Sequence, residues 1–306
     1  MKRVVLLIAL GLLIVGLVVP ALVFLSRSPV LVVTDIPFAA LYGEDRLRRR
    51  QLSASAALFR RVRPVFIADD ASPDMLIAAI SYASENPFVV LFPRRFAAVA
   101  ERFHGESPEI PAVIFRGTVP AGGLPAGNGI LNVYGTDQGT DLFRAGLFAG
   151  IIGSMGRADE AGLPGGQRTH VLWQGRFVDP EGRGLFSGAV MERDPDSAVV
   201  FVDTAAGMPD TRGVSSMVMA GAGADYLERN PGIPVVLFSW LDPDLTSREV
   251  VAIFDDSPWA LVVPATRMAA NGVASGVIPS KPLIFSDRIA DNRMARAMRR
   301  SAGREP

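Results

Sequence analysis

Gly129–Gly153, GILNVYGTDQGTDLFRAGLFAGIIG, is the stretch from which the rest of the chain can be read. Ile130 to Tyr134 is a short apolar run of the kind that forms a buried strand. A polar turn, Gly135 to Thr140, follows it. Asp141 then opens a helix in which Ala145, Gly146, Ala149, Gly150 and Gly153 fall at i, i+1, i+4, i+5 and i+8. That spacing gathers the small residues on one face. Such a face lets a helix lie close to a sheet or to another helix, although each interior glycine costs about 1 kcal/mol relative to alanine. Strand–helix alternations precede the stretch and about as many follow, so it reads as the crossover between two similar α/β halves.

Upstream, Val30 to Val33 is a β-branched run ending in Thr34-Asp35, which predicts a fully buried parallel strand. A loop to Gly43 carries Phe38 and Tyr42, and a helix is expected over Glu44–Val62. Strands are predicted at Pro64–Ala68, at Pro87–Phe92 (ending in Pro93-Arg94-Arg95) and at Ile110–Phe115 (ending in Arg116). Ser72 before Pro73 reads as an N-cap with proline at the first helical position.

Downstream, His170–Trp173, Ala198–Val202 (ending in Asp203), Val214–Met219 and Pro234–Phe238 read as strands. Helices are predicted at Glu181–Glu192 and Ile289–Arg300. Leu245–Phe254 is expected to be a helix, Trp259–Val263 a strand ending near Thr266-Arg267, and Leu283–Phe285 the last strand. The fold class is therefore α/β: two Rossmann-like lobes with parallel sheets joined by crossover segments. Lobe 1 is expected to comprise residues 29–134 and 268–306, and lobe 2 residues 135–267.

Residues 1–28 stand apart. Lys2 and Arg3 precede Val4–Leu25, an uncharged apolar run longer than a signal-peptide core and sufficient for a span. Pro29 follows the small-residue site Ser26-Arg27-Ser28, which blocks cleavage there. The expectation is an uncleaved signal anchor, a single N-terminal transmembrane helix with the body on the extracytoplasmic side, with a cleaved signal peptide as the alternative.

Composition excludes several classes of function. There is no cysteine, so thiolate metal sites, cysteine nucleophiles, disulfides and a lipid-bearing cysteine are out. Two histidines, His104 and His170, make no metal centre. A net charge of zero gives no electrostatic case for nucleic acid as partner. No nucleophile elbow, phosphate-binding loop or zinc-protease motif is present. Gly221 and Gly223 match part of a dinucleotide fingerprint, but Tyr226 takes the place of the third glycine.

In open α/β sheets, ligands bind beyond the carboxyl ends of the strands. Candidate ligand residues at those places are Asp35, Phe38, Arg94, Asp137, Trp173, Phe177, Gly221, Trp240, Asp242 and Arg267, with Arg116, Asp203 and Thr266 at equivalent positions. Carboxylates there accept hydrogen bonds from ligand hydroxyls or ring nitrogens, aromatic rings stack on a planar ligand, and arginines bind a carboxylate or phosphate in a forked pair. Each residue also has an ordinary reading: Asp35 as a helix cap, the aromatics as packing, Arg94 and Arg116 as solvated surface, Asp242 and Arg267 as a surface pair. No metal and no cofactor are expected.

Four stretches carry a resemblance to a known family: Leu31–Asp35, LVVTD; Asp141–Gly150, DLFRAGLFAG; Trp173–Gly188, WQGRFVDPEGRGLFSG; and the glycine turn Ala220–Gly223. They resemble the first strand, the crossover helix, a strand–loop–helix and a late glycine turn of the type I periplasmic binding-protein superfamily. Within it they are most similar to the basic membrane protein family of purine-nucleoside receptors. The resemblance covers most of residues 30–290 in order. It implies a two-lobed solute-binding protein that takes a small polar ring compound, nucleoside- or sugar-like, and delivers it to an ABC permease. It places the family's late ligand Asp near Asp242 and its late ligand Lys near Arg267. The family's first loop carries a run of polar ligand residues, whereas Ile36–Gly43 here has Phe38 and Tyr42. The alternative is a ligand-sensing subunit that signals to a membrane partner, to which the uncleaved anchor and the missing lipid cysteine point. No nucleophile–base pair supports an enzyme.

Overall fold

The computed structural model describes residues 16, 18–68, 70–118, 130–136, 138–156, 168–173, 180–203, 214–220, 232–238, 249–255, 257–278, 280–289 and 291–306. Val30–Asp35 (β1) is buried at every position. It pairs in parallel with Val62–Ile67 (β2) on one side and Val89–Phe92 (β3) on the other. Ala112–Thr118 (β4), Leu131–Thr136 (β5) and, from far along the chain, Ser275–Val277 (β11) extend the sheet, all in parallel. A second sheet contains Arg168–Trp173 (β6), Ala198–Asp203 (β7), Val214–Ala220 (β8), Val235–Phe238 (β9), Val250–Asp255 (β10) and Lys281–Ile284 (β12). Its strands are parallel except β12, which runs antiparallel to β10.

The two strand orders are the same. They read β2-β1-β3-β4-β5-β11 and β7-β6-β8-β9-β10-β12. The helices of the first lobe are Ile36–Tyr42 (α1), Glu44–Leu58 (α2), Pro73–Ala83 (α3) and Ala97–Glu106 (α4). Gln138–Gly156 (α5) and Pro180–Arg193 (α6) cover the second sheet. Pro258–Ala270 (α7) and Asn292–Ser301 (α8) follow. Alternate side chains of β1 serve both faces of the first sheet. Val30 and Val32 meet Leu47 of α2 and Trp259 and Leu261 of α7. Leu31 and Val33 meet Leu76 of α3 and Phe103 of α4.

The crossover helix packs as its small residues predict. A Cβ on Gly146 would be driven into the Phe186 carbonyl and stand 2.8 Å from the Ala189 Cβ, and one on Gly150 would stand 2.7 Å from the Val190 carbonyl. The glycines therefore bring α5 against the backbone of α6.

Three expectations are corrected. Ile36–Gly43, expected as a loop, begins with the helix α1, which Asp35 caps and Pro37 starts. Between residues 245 and 267 helix and strand are interchanged. Val250–Asp255 is a strand, as its β-branched Val250, Val251 and Ile253 favour. Trp259–Val263 lies within α7, which has Pro258 in its first turn and is buried through Pro258–Val262, Ala265 and Thr266. A helix that is apolar nearly all round shows no amphipathic period to read.

The third correction concerns the lobes. α7 and β11 belong to the first sheet, whereas β12 and α8 belong to the second. Lobe 1 therefore recruits residues 258–277 rather than 268–306, and lobe 2 takes the C-terminus. Of the expected anchor, residues 18–26 are helical. Most of the segment lies outside the described residues, among which no helix is long and apolar enough to cross a membrane.

Candidate functional site between the sheets

The chain crosses between the sheets three times: from β5 to α5, from β10 to α7 and from β11 to β12. Each crossing leaves from the carboxyl end of a strand. A helix that covers a parallel sheet starts at the carboxyl ends of its strands, so the first two crossings join carboxyl end to carboxyl end. The third does the same, because β12 is antiparallel and its first residue, Lys281, lies beside Asp255 at the end of β10. The carboxyl ends of both sheets therefore face one another. All crossings fall at one edge, formed by β5 and β11 in one sheet and β10 and β12 in the other. That edge is the hinge, and the cleft opens away from it.

Both strand orders reverse direction at an interior point, between β1 and β3 and between β6 and β8. Such switch points leave the crevice in which ligands sit. They lie about 14 Å from the hinge edge in the first sheet, three strand spacings away. At the first, Asp35 is 5% exposed and accepts a 2.6 Å hydrogen bond from the Phe38 N–H. Its other oxygen is 3.6 Å from Arg95 Nε. Arg95 also lies 4.8 Å from the centre of the Phe96 ring. At the second switch point, Trp173 ends β6 opposite Ala220 of β8.

The structure distributes the remaining candidates as follows. Arg94 is exposed on the same short turn, so Arg95, its neighbour, is the arginine that faces Asp35. Phe38 is buried, 5.2 Å ring to ring from Tyr42, within the core that contains Trp259. It packs rather than lining the cleft. Arg116 is held within its own lobe by Asn132 at 2.7 Å and Glu101 at 2.9 Å. Thr266 is buried within α7. Arg267 is displaced from the cleft: it sits in the last turn of α7, about 13 Å along the helix from Pro258. There its guanidinium reaches the Ala57 carbonyl of α2 at 3.4 Å. Asp203 ends β7, at the cleft face. Asp137, Phe177, Gly221, Trp240 and Asp242 lie outside the described residues.

Sequence reasoning missed the polar groups of the hinge. Asp255, which next to Asp256 in sequence reads as a turn or cap residue, is 1% exposed. It accepts from the Tyr42 hydroxyl at 2.7 Å and from the Ser257 N–H at 3.0 Å. Burial pushes its carboxyl above the ordinary range, against the opposing pull of Ser257, Tyr42 and Arg50. Burial and the Asp255 charge push the Tyr42 phenol up in turn. Asp141, 2% exposed in the first turn of α5, accepts from the Ser280 hydroxyl at 2.6 Å. Arg46 pairs with Asp287 across the lobes, and the centre of the Phe285 ring is 4.7 and 4.1 Å from the guanidinium carbons of Arg46 and Arg288. Two signals in the sequence bear on these groups. Asp255 closes a β-branched run, as Asp35 does, and Tyr42 ends the segment that Asp35 caps.

No protein-family model matches the chain, and no curated protein matches it. Solved structures do share its fold. An ABC transporter system solute-binding protein from Conexibacter woesei DSM 14684 is 14% identical, with a TM-score of 0.52 over 90% of this chain and 95% of that one. One from Aeropyrum pernix K1 is 12% identical, with a TM-score of 0.51 over 90% of this chain and 85% of that one. The chain has the two-lobed architecture of type I periplasmic binding proteins.

Proposed function

We propose that this is a membrane-tethered, extracytoplasmic solute-binding protein. It holds a small polar ring compound, nucleoside- or sugar-like, in the interlobe cleft and presents it to an ABC permease. The observation that carries this reading is the pair of sheets of identical strand order, carboxyl ends facing, joined by three crossings at one edge. That construction leaves two walls free to close on a ligand by rotation about the hinge.

On the first wall the ligand meets Asp35 and Arg95. Together they offer a hydroxyl or ring nitrogen an acceptor and a forked donor. For the second wall, Trp173, the last residue of β6, and Gly221, the next residue in sequence after β8, are the proposed ligand residues: an aromatic residue to stack on the ligand and a glycine to allow close backbone approach. Asp137, Phe177, Trp240 and Asp242 remain proposed ligand residues on the basis of their sequence positions.

Mass spectrometry of small molecules retained by the full chain, purified in detergent, tests the reading. A nucleobase or sugar compound should be found and should raise Tm when added back. Asp35→Asn keeps a capping oxygen for α1 while removing the charge, so it should lower affinity by about tenfold or more, the size of one charge-assisted hydrogen bond, with little change in Tm. Retention of neither class, with no thermal shift from either, overturns the ligand assignment. A second reading, a ligand-sensing subunit that signals to a membrane partner, is favoured by the apolar N-terminal run and the absence of a cysteine for lipid attachment. Transport of the bound compound by cells carrying the protein separates the two.

A further inference from the structure

Among the described residues, Phe59 is the one non-glycine with a left-handed backbone, φ 49 and ψ 40. It ends α2, where glycine usually takes that conformation because a Cβ crowds the following carbonyl. A bulky ring in this place needs a compensating contact, and the structure provides one. The ring is 41% exposed, edge-on to Phe24 at 5.8 Å, and beneath the guanidinium of Arg27 at 5.1 Å. Phe24 belongs to the helical residues 18–26, the last part of the apolar run Val4–Leu25. The strained residue is thus a seat between the body and the apolar N-terminal segment.

Arginines surround this seat. Arg27 reaches the Phe59 carbonyl at 3.5 Å, Arg60 the Ser28 carbonyl at 3.1 Å, Arg61 the Arg27 carbonyl at 3.4 Å and Arg63 the Ala83 carbonyl at 2.9 Å. Each of these hydrogen bonds goes to a neutral carbonyl, which positions a guanidinium without neutralising it. Among the described residues none of these four arginines has a carboxylate within ion-pair distance. Burial and the nearby Arg27 charge hold Arg60 below its usual range, so positive charge is crowded here. Tyr82, next to Ala83, is 96% exposed. Arginines interleaved with exposed aromatic rings suit the headgroup layer of a bilayer.

We infer that this amino-terminal edge of the first lobe is a docking face for acidic phospholipids: Arg27, Arg60, Arg61 and Arg63 engage headgroup phosphates while Phe59 and Tyr82 enter the interfacial layer. The inference rests on the membrane-tethered reading for the approach of the chain, and it adds an orientation to that reading. The strands of the first lobe run away from this edge, so the docked lobe is fixed on the bilayer and the second lobe is the one that swings.

The chain has no cysteine, so Tyr82→Cys accepts a single fluorescent label. The labelled full chain is mixed with vesicles of phosphatidylcholine alone or with phosphatidylglycerol added. Flotation reports tethering, and protection of the label from a water-soluble quencher reports docking. The expected result is flotation with both vesicles, but several-fold stronger protection with the acidic lipid, lost at high salt and lost in Arg27→Gln/Arg60→Gln/Arg61→Gln. Equal quenching with both lipids overturns the docking face and leaves the tether standing. Flotation with acidic vesicles alone supports the face and overturns the tether; flotation with neither overturns both. Phe59→Gly, which removes ring and strain together, should hold or raise Tm yet reduce protection. Unchanged protection would take Phe59 out of the face.

Discussion

α5 and α7 hold equivalent places at the hinge, and they are built in opposite ways. Each follows a strand of one sheet and packs on the other. Each has a buried carboxylate near its start, Asp141 for α5 and Asp255 for α7, satisfied by a hydroxyl from a distant part of the chain. α5 is fixed by what it lacks. Gly146 and Gly150 let its backbone meet that of α6. α7 is fixed by what it inserts. Trp259 fills the core of the first lobe and donates from its indole to the Thr34 hydroxyl at 2.8 Å. A helix seated by missing side chains tolerates additions poorly, and one seated by large side chains tolerates deletions poorly.

The largest expected effect is at Trp259. Trp259→Ala should cost about 3–5 kcal/mol in denaturant unfolding, the range for removal of a buried aromatic. A loss below 1 kcal/mol would show that α7 is not held by this ring. Next comes a pair of glycine substitutions. Gly146→Ala should lower stability by about 1–3 kcal/mol through overpacking, whereas Gly188→Ala on α6, where a Cβ meets nothing within 4 Å, should raise it by up to about 1 kcal/mol. The same sign for both would remove close approach as the reason for the glycines of α5.

Tyr42→Phe should cost about 1–3 kcal/mol, because Asp255 then has a buried oxygen without its donor. Ser280→Ala should cost about 1 kcal/mol, the usual net value of one hydrogen bond; a larger loss there than at Tyr42 would reverse the ranking of the two crossings. The smallest effect is one of slope. Asp255 has a raised pKa in the fold, so the folded chain holds its proton to higher pH than the unfolded chain does. Its contribution is greatest below the ordinary carboxylate range and is lost as pH rises through the raised value. Thermal melts from about pH 4 to about pH 8 should therefore show a flatter decline for Asp255→Asn than for the parent. Parallel profiles would mean that Asp255 does not carry the slope.

The same contrast explains what was legible in the sequence. Small residues at helical spacing made α5 readable, and β-branched runs made β1, β3, β6 and β7 readable, because local composition decides those elements. α7 was not readable: buried on almost every side, it shows no polar face, and Pro264 in its middle argues against a helix by local rules. Tertiary burial decided it. Of the cleft, Asp35 was legible as a strand-end carboxylate, whereas Arg94 reads as a group for a ligand carboxylate or phosphate, with no sign that its neighbour Arg95 stands beside Asp35. Phe38 and Arg267 were misplaced because both depend on whether their segments are helical. The Tyr42–Asp255 pair joins residues far apart in sequence, and neither residue alone signals the other.

The three crossings also determine when each lobe can be finished. When residue 136 has been made, the first sheet has β1 to β5 but neither α7 nor β11. Val32, Leu91 and Val113 then face a space that Trp259 and Leu261 will fill. At ordinary synthesis rates that covering helix arrives on the order of ten seconds later. The second lobe waits as well, for α8 at the very end of the chain. Neither half is a unit that can be made, folded and set aside before the other. An exposed apolar sheet face is therefore built into the birth of this protein, and whatever shields nascent chains in its compartment must cover the first lobe while the second is being made.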